Sequence, residues 1–266
     1  MSAGWLWADW PLAGRVQAGV STREGGVSAP PWGALNLALH VSDRPEHVRE
    51  NRRRLAATLG LPAEPAWLRQ VHGTAVTRLG RPPAAGRVAV SAGVVSAGAP
   101  VEADAAVAFQ PGVVCAVLTA DCLSVVLADT AGQCVGVAHA GWRGLAGGVL
   151  EATIAALDVA PARLVAWLGP AISQACFEVG EEVRAAFLAQ DEGAGAAFTS
   201  NARGRWQADL CELARRRLAA AGVGSVHGGG LCTFSDPARF HSHRRDGAGS
   251  GRMATLAWLP GAAPGP

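Results

Sequence analysis

Three short apolar runs rich in Val and Leu follow one another in the middle of the chain, at 113–119, 123–127 and 134–138, parted only by polar breaks at Asp121 and at 129–132. Runs this short, bounded by turn residues, read as strands buried on both faces. Such strands need a covering layer on each side, which constrains the chain to layers packed about a sheet. Hairpin pairing of these strands brings Cys122, at the first break, and His139, at the end of the third run, to one sheet edge. Upstream, a helix is expected over 44–59, opened by Asp43 as N-cap with Glu46 three residues on, stopped by Gly60, and burying Val48, Leu55 and Leu59. Downstream, the apolar spacing predicts a helix at 144–157, a strand at 164–168, helices at 179–189 and 207–221, and strands at 226–232 and 253–259. This uneven order suits a mixed α/β layered core better than a repeating βαβ wheel.

Half of the 266 residues are apolar, enough for a substantial core without disulfides. The charge-poor, Gly-, Ala- and Pro-rich stretch 80–101 runs straight into the apolar segment at Ala105. It reads as an irregular crossover inside one domain over 1–259, with 260–266 a disordered tail. No uncharged stretch reaches the length of a spanning helix, since the best candidate is interrupted by Gln110, Pro111 and Gly112. The N-terminus carries no positive leader, and the six cysteines form no CxxC pair, so a cytoplasmic, reducing setting is expected. A formal charge of +2 argues against nucleic acid as a partner, as the apolar pattern does against a membrane.

The chain has neither Lys nor Tyr. Schiff-base lysine, Walker-A lysine and tyrosine acid–base chemistry are therefore excluded. Chemistry falls to Cys, His, the carboxylates, hydroxyls or a metal, with Arg to hold anions. Reactive side chains gather in four turn-like segments: Gln70-Val71-His72-Gly73, Thr119-Ala120-Asp121-Cys122, His139-Ala140-Gly141-Trp142-Arg143-Gly144 and His241-Ser242-His243-Arg244-Arg245-Asp246. A Cys and two His from strand ends can form a three-ligand zinc site with an open position, although isolated Cys and His are more often structural. Gly141 to Gly144 is either an anion site built on a helix start and Arg143 or a plain glycine-rich turn. The segment from Ser21 to Ser28, with Arg23, is likewise an anion-binding loop or a simple turn. His241 and His243 ligate a metal if they share a face, and otherwise form a polar rim beside Arg244 and Arg245.

Together with Leu35-Asn36-Leu37, His40-Val41, Ala103-Asp104-Ala105, Gly169-Pro170-Ala171-Ile172 and Glu178-Val179-Gly180, these segments resemble the YfiH family nearly end to end. These are zinc-dependent purine nucleoside phosphorylases formerly labelled polyphenol oxidases or laccase-like proteins. The resemblance implies an αββα layered fold, similar to the cysteine hydrolase domain of cytotoxic necrotizing factor. It places the zinc ligands at His72, Cys122 and His139. It also implies phosphorolysis of adenosine, inosine, guanosine and methylthioadenosine, and deamination of adenosine, with purine nucleosides and orthophosphate as the partners. On this reading Cys122, His139, Asp121 and Arg143 serve catalysis, while Arg23, Asn36, Arg143 and Arg244 bind substrate. The chain departs from the family at Ser124, where Pro is usual, and at Trp32, where Phe or Tyr is common. A hydrolase or amidase using Cys122 and His139 on a cell-wall precursor is the second reading. A non-catalytic metal- or nucleoside-binding regulator is the third. Seven histidines with one His-x-His pair are too few for a multicopper oxidase, although the His2Cys set would accept a single copper.

Overall fold

The computed structural model describes residues 4–80 and 100–261, so the crossover expected at 80–101 and the terminal tail lie almost wholly outside the described residues. In chain order the elements are β1 (Trp5–Trp7), β2 (Gln17–Ser21), α1 (Pro45–Leu59), β3 (Val76–Leu79), β4 (Ala105–Ala108), β5 (Val114–Thr119), β6 (Leu123–Asp129) and β7 (Val135–Ala140). There follow α2 (Trp142–Gly147), α3 (Val149–Leu157), β8 (Leu164–Leu168), β9 (Glu178–Val179), α4 (Glu181–Leu188), β10 (Phe198–Ser200), β11 (Trp206–Ala208), α5 (Leu210–Ala220), β12 (Ser225–Gly228), α6 (His243–Asp246) and β13 (Met253–Trp258).

The strands make a four-stranded sheet, β1-β2-β13-β5, a six-stranded sheet, β12-β8-β6-β7-β4-β3, and a small sheet, β10-β11-β9. Alternation along each strand assigns side chains to layers. Val125 and Leu127 of β6 pack with Leu150 and Leu157 of α3 and Leu213 of α5, whereas Val126 and Ala128 face Cys115 and Val117 of β5. The opposite face of β5 and β13, with Ala116 and Leu256, packs against Leu55 of α1. Helix α1, the four-stranded sheet, the six-stranded sheet and the later helices thus succeed one another across three apolar layers. Among the described residues no helix is long and apolar enough to cross a membrane.

The three central runs are strands, but they do not form one meander. Strands β6 and β7 are an antiparallel hairpin, while β5 pairs with β13 in the other sheet. The chain changes sheet across Ala120, Asp121 and Cys122, and Asp121 takes the left-handed backbone region at φ 85° to make the crossing. Helix α1 starts one residue later than expected, with Arg44 at the N-cap and Pro45 in the first turn. Asp43 instead accepts hydrogen bonds from the Ser28 hydroxyl at 2.6 Å and the Asn36 amide at 2.9 Å. The helix expected at 144–157 is broken into α2 and α3 by Gly148, at φ 99°. The first residues of the two later helical runs are spent on β9 and β11, which pair with each other. Asp209 then caps α5 by accepting the Glu212 N–H at 3.0 Å. The strand expected at 226–232 stops at Gly228, where two glycines at positive φ turn the chain. Strands β1 to β4 were not anticipated.

Between the two sheets lies a buried polar link, the Ser124 hydroxyl on the Thr255 hydroxyl at 2.7 Å. Removing one partner leaves the other without a bond, at a cost of about 1–3 kcal/mol, whereas removing both is far milder. Ser124→Ala should therefore lower the free energy of urea unfolding by about 1–2 kcal/mol, and Ser124→Ala with Thr255→Val should recover most of the loss.

Candidate metal centre

Asp104 precedes β4 and is fully buried. Its Oδ2 accepts the N–H groups of Val71 at 3.2 Å and Gly73 at 2.7 Å, and its Oδ1 accepts that of His72 at 3.0 Å. Three successive N–H groups converging on one carboxylate curl the loop around it and hold His72 in the left-handed region, at φ 62°. The same Oδ1 lies 2.8 Å from His139 Nδ1. That bond places the proton on Nδ1 and leaves Nε2 as a lone-pair donor.

The ligand atoms of His72, Cys122 and His139 all lie within 4.8 Å of one another. Cys122 Sγ is 4.0 Å from His72 Nε2, and the two imidazoles meet edge to face with centroids 4.7 Å apart. Tetrahedral metal–nitrogen and metal–sulfur bonds of about 2.0–2.3 Å set neighbouring ligand atoms roughly 3.3–3.8 Å apart, so small side-chain adjustments suffice to grip an ion. Gly141 makes the cluster possible. A Cβ at that position would come within 3.0 Å of Cys122 Sγ and 3.1 Å of the His72 ring.

Withdrawal from water pushes the Cys122 thiol up, but His139 and His72 outweigh it and bring the group down to about 6. The same withdrawal disfavours protonated His139, yet the Cys122 and Asp104 charges lift it to about 9. Burial also raises the Asp104 carboxyl, and His139 with the loop N–H groups more than offsets this, leaving it below its ordinary value. The set is thus poised as thiolate and carboxylate around a protonated His139, whose Nε2 proton a metal ion displaces on binding.

The cluster opens on a cavity of about 350 Å³. Gln70 braces one wall by donating to the Leu118 carbonyl at 2.9 Å and accepting the Leu118 N–H at 2.7 Å. Arg143 stacks on Trp142 at 4.3 Å and Arg244 on Phe177 at 5.4 Å. Among the described residues, neither of these arginines nor Arg252, on the same cavity, pairs with a carboxylate.

Of the residues expected from sequence, His72, Cys122, His139, Asp121, Arg143 and Arg244 all line this cavity, whereas Arg23 and Asn36 do not. The Arg23 guanidinium donates to the Pro237 carbonyl. Asn36 is buried, donating to Asp43 and accepting the Arg252 N–H at 3.0 Å. Both carboxylate oxygens of Asp121 are engaged, one by the Thr233 hydroxyl and one by the Arg244 N–H, each at 2.6 Å. His241 and His243 do not share a face: His243 lines the cavity, while His241 is buried and held neutral, its pKa pushed down to about 3 by burial and by Arg23. Sequence reasoning assigned no role to Asp104, His40, Phe177 or Arg252. The available signals were the motifs Ala103-Asp104-Ala105, with its acid at the head of an apolar run, and His40-Val41.

A mixed α/β fold that gathers two histidines and a cysteine at the mouth of an arginine-lined cavity defines a candidate mononuclear metalloprotein. A family model described as multi-copper polyphenol oxidoreductase laccase matches residues 17–260. A purine nucleoside phosphorylase of Pseudomonas aeruginosa is 50% identical over 256 residues, 96% of this chain and 98% of its own. The purine nucleoside phosphorylase YfiH of Escherichia coli is 48% identical over 251 residues, 94% and 97% of the two chains. Among solved structures, a Neisseria meningitidis protein matches with TM-score 0.87 and 46% identity, covering 97% of this chain and 100% of its own. YlmD from Geobacillus stearothermophilus matches with TM-score 0.84 and 30% identity over 98% of both. The chain belongs to the YfiH family.

Asp104→Asn should weaken metal retention about 10- to 100-fold, read by competition with a chromogenic chelator. Gly141→Ala should abolish retention while leaving the far-UV circular dichroism spectrum unchanged.

Proposed function

We propose that this chain is a purine nucleoside phosphorylase that uses a single zinc ion held by His72, Cys122 and His139. The carrying observation is the opening of that ligand set onto a cavity where Arg143, Arg244 and Arg252 have no carboxylate partner among the described residues. The names of the relatives point to nucleoside and phosphate as substrates. Two imidazoles and a thiolate with an open side suit catalytic zinc. Copper electron-transfer sites of the His2Cys type add a weak axial ligand, commonly Met, but Met253 is buried between the sheets rather than beside the cluster. Bound zinc supplies electrostatic stabilisation of charge that develops in the reaction.

The residues of the chain do the remainder. Arg143, exposed at the start of α2, and Arg244 hold orthophosphate as it forms its bond to the ribose C1′ and the bond to the purine breaks. Phe177 and Trp142 offer flat apolar faces for the base. Asp121 acts by position, fixing the Arg244 backbone. Asn36 acts similarly, through the Arg252 backbone, and Arg23 through the loop at Pro237. Deamination of adenosine is proposed as a second activity of the same cavity, in which water adds at C6 of the base, the C6–N bond breaks and ammonia leaves. Six free cysteines fit a reducing compartment, the cytoplasm.

A second reading is favoured by one arrangement: Cys122, His139 and Asp104 stand as nucleophile, base and orienting carboxylate. Without metal this is a cysteine hydrolase acting on a cell-wall amide.

Metal analysis of protein purified without added metal, followed by phosphate-dependent release of base from adenosine and inosine, separates the two. One zinc per chain is expected, with turnover reduced at least about 100-fold in Cys122→Ala. Arg143→Ala should raise the phosphate KM about tenfold, and an unchanged KM and turnover would remove Arg143 from the anion site. Metal-free protein that retains full activity would instead support the cysteine nucleophile.

A further inference from the structure

Beside the cavity, but apart from the three metal ligands, two more cysteines meet. Ala171 and Cys232 are bridge partners, with the Ala171 N–H on the Leu231 carbonyl and the Thr233 N–H on the Ala171 carbonyl. This lays the segment after Ala171 alongside the one that carries Cys232. The Cys232 sulfur accepts two backbone N–H groups, from Ser173 at 3.3 Å and Ser235 at 3.5 Å. Cys176 closes a 3-10 turn anchored by its N–H on the Ser173 carbonyl at 3.0 Å, the same Ser173 whose N–H the Cys232 sulfur accepts, so this turn brings the Cys176 thiol up beside Cys232. Both cysteines are partly exposed.

Converging N–H groups are what stabilises a thiolate over a thiol. Burial alone raises the Cys232 thiol, but the hydroxyls and N–H groups of Ser173 and Ser235 outweigh it and bring it to about 7. Cys134 and Cys211 are pushed up to about 12 by burial and neighbouring carboxylates. Cys176 is raised by burial and by Cys232 beside it, and so keeps its proton. The pair therefore combines a nucleophilic sulfur with a protonated thiol next to it.

We propose that Cys232 and Cys176 are a reactive thiol pair which hydroperoxides convert to a disulfide. The Cys232 thiolate attacks the terminal peroxide oxygen. An S–O bond forms as the O–O bond breaks, and the departing oxygen takes a proton and leaves as water or an alcohol. The Cys176 sulfur then attacks the resulting sulfenic acid. An S–S bond forms, the S–O bond breaks, and the hydroxyl leaves as water with the Cys176 proton. Two thiols are oxidised and one peroxide is reduced. Phe177, next to Cys176, lines the cavity, and Thr233, next to Cys232, holds Asp121. The disulfide thus clamps two parts of the cavity wall together. The chemistry itself is independent of whether nucleosides are turned over.

Zinc-loaded protein is exposed to a small molar excess of hydrogen peroxide near neutral pH, the remaining thiols are alkylated, and tryptic peptides are mapped by mass spectrometry. The expected product is peptide 164–184 joined to peptide 218–239 with loss of two hydrogens, reversed by dithiothreitol. In Cys176→Ser, a 1,3-diketone probe should trap sulfenic acid at Cys232. Without peroxide, iodoacetamide should label Cys232 at least about tenfold faster than Cys211. A Cys232 that stays reduced while other cysteines oxidise, or that oxidises without joining Cys176, overturns the proposal.

Discussion

The Asp104 carboxylate is the contact around which the site is assembled. A buried carboxylate stays charged only when its lone pairs are satisfied. Here four donors from two parts of the chain do this: the N–H groups of Val71, His72 and Gly73, and His139 Nδ1. In return the carboxylate dictates the loop that presents one imidazole and the tautomer of the other. Cys122 is the one ligand it does not touch, and that residue is set by the sheet crossing.

The electrostatics of the cavity follow from composition as much as from shape. With no lysine in the chain, every strong cation near the site is a guanidinium. Guanidinium groups settle over aromatic rings, as Arg143 does over Trp142 and Arg244 over Phe177. Stacking holds these forks in place before an anion arrives, so less freedom is lost on binding. His40 shares this environment, and burial followed by Arg252 and Arg52 keeps its pKa below the ordinary value.

Much of this was legible in the sequence. Apolar runs and their breaks located β5 to β8 and β13 closely, because a strand buried on both faces leaves little room for polar residues. The motif-bearing turns named six residues that do line the cavity. What could not be read was which strands pair. Runs separated by a few polar residues look like a meander, and nothing local marks the passage of Asp121 from one sheet to the other. Short strands such as β1 and β9 carry too few residues to show a period. Arg23 and Asn36 stand off the cavity wall, which sequence could not show because a polar residue in a loop reads the same whether it meets a ligand or a backbone carbonyl. Asp104 drew no role because its partners, at 71–73 and 139, are distant in sequence.

The sheet crossing also ties ion binding to the mechanics of the core. Thr119 ends a strand of the four-stranded sheet and Leu123 begins one of the six-stranded sheet, with Cys122 between them and His139 on the far sheet. So short a span has no slack. Sliding or splaying of the sheets displaces the sulfur from the imidazoles, and an ion that grips all three opposes such motion. Coordination and closure of the inter-sheet layer are one equilibrium viewed from two ends, and the apolar packing between the sheets contributes directly to how tightly the ion is held.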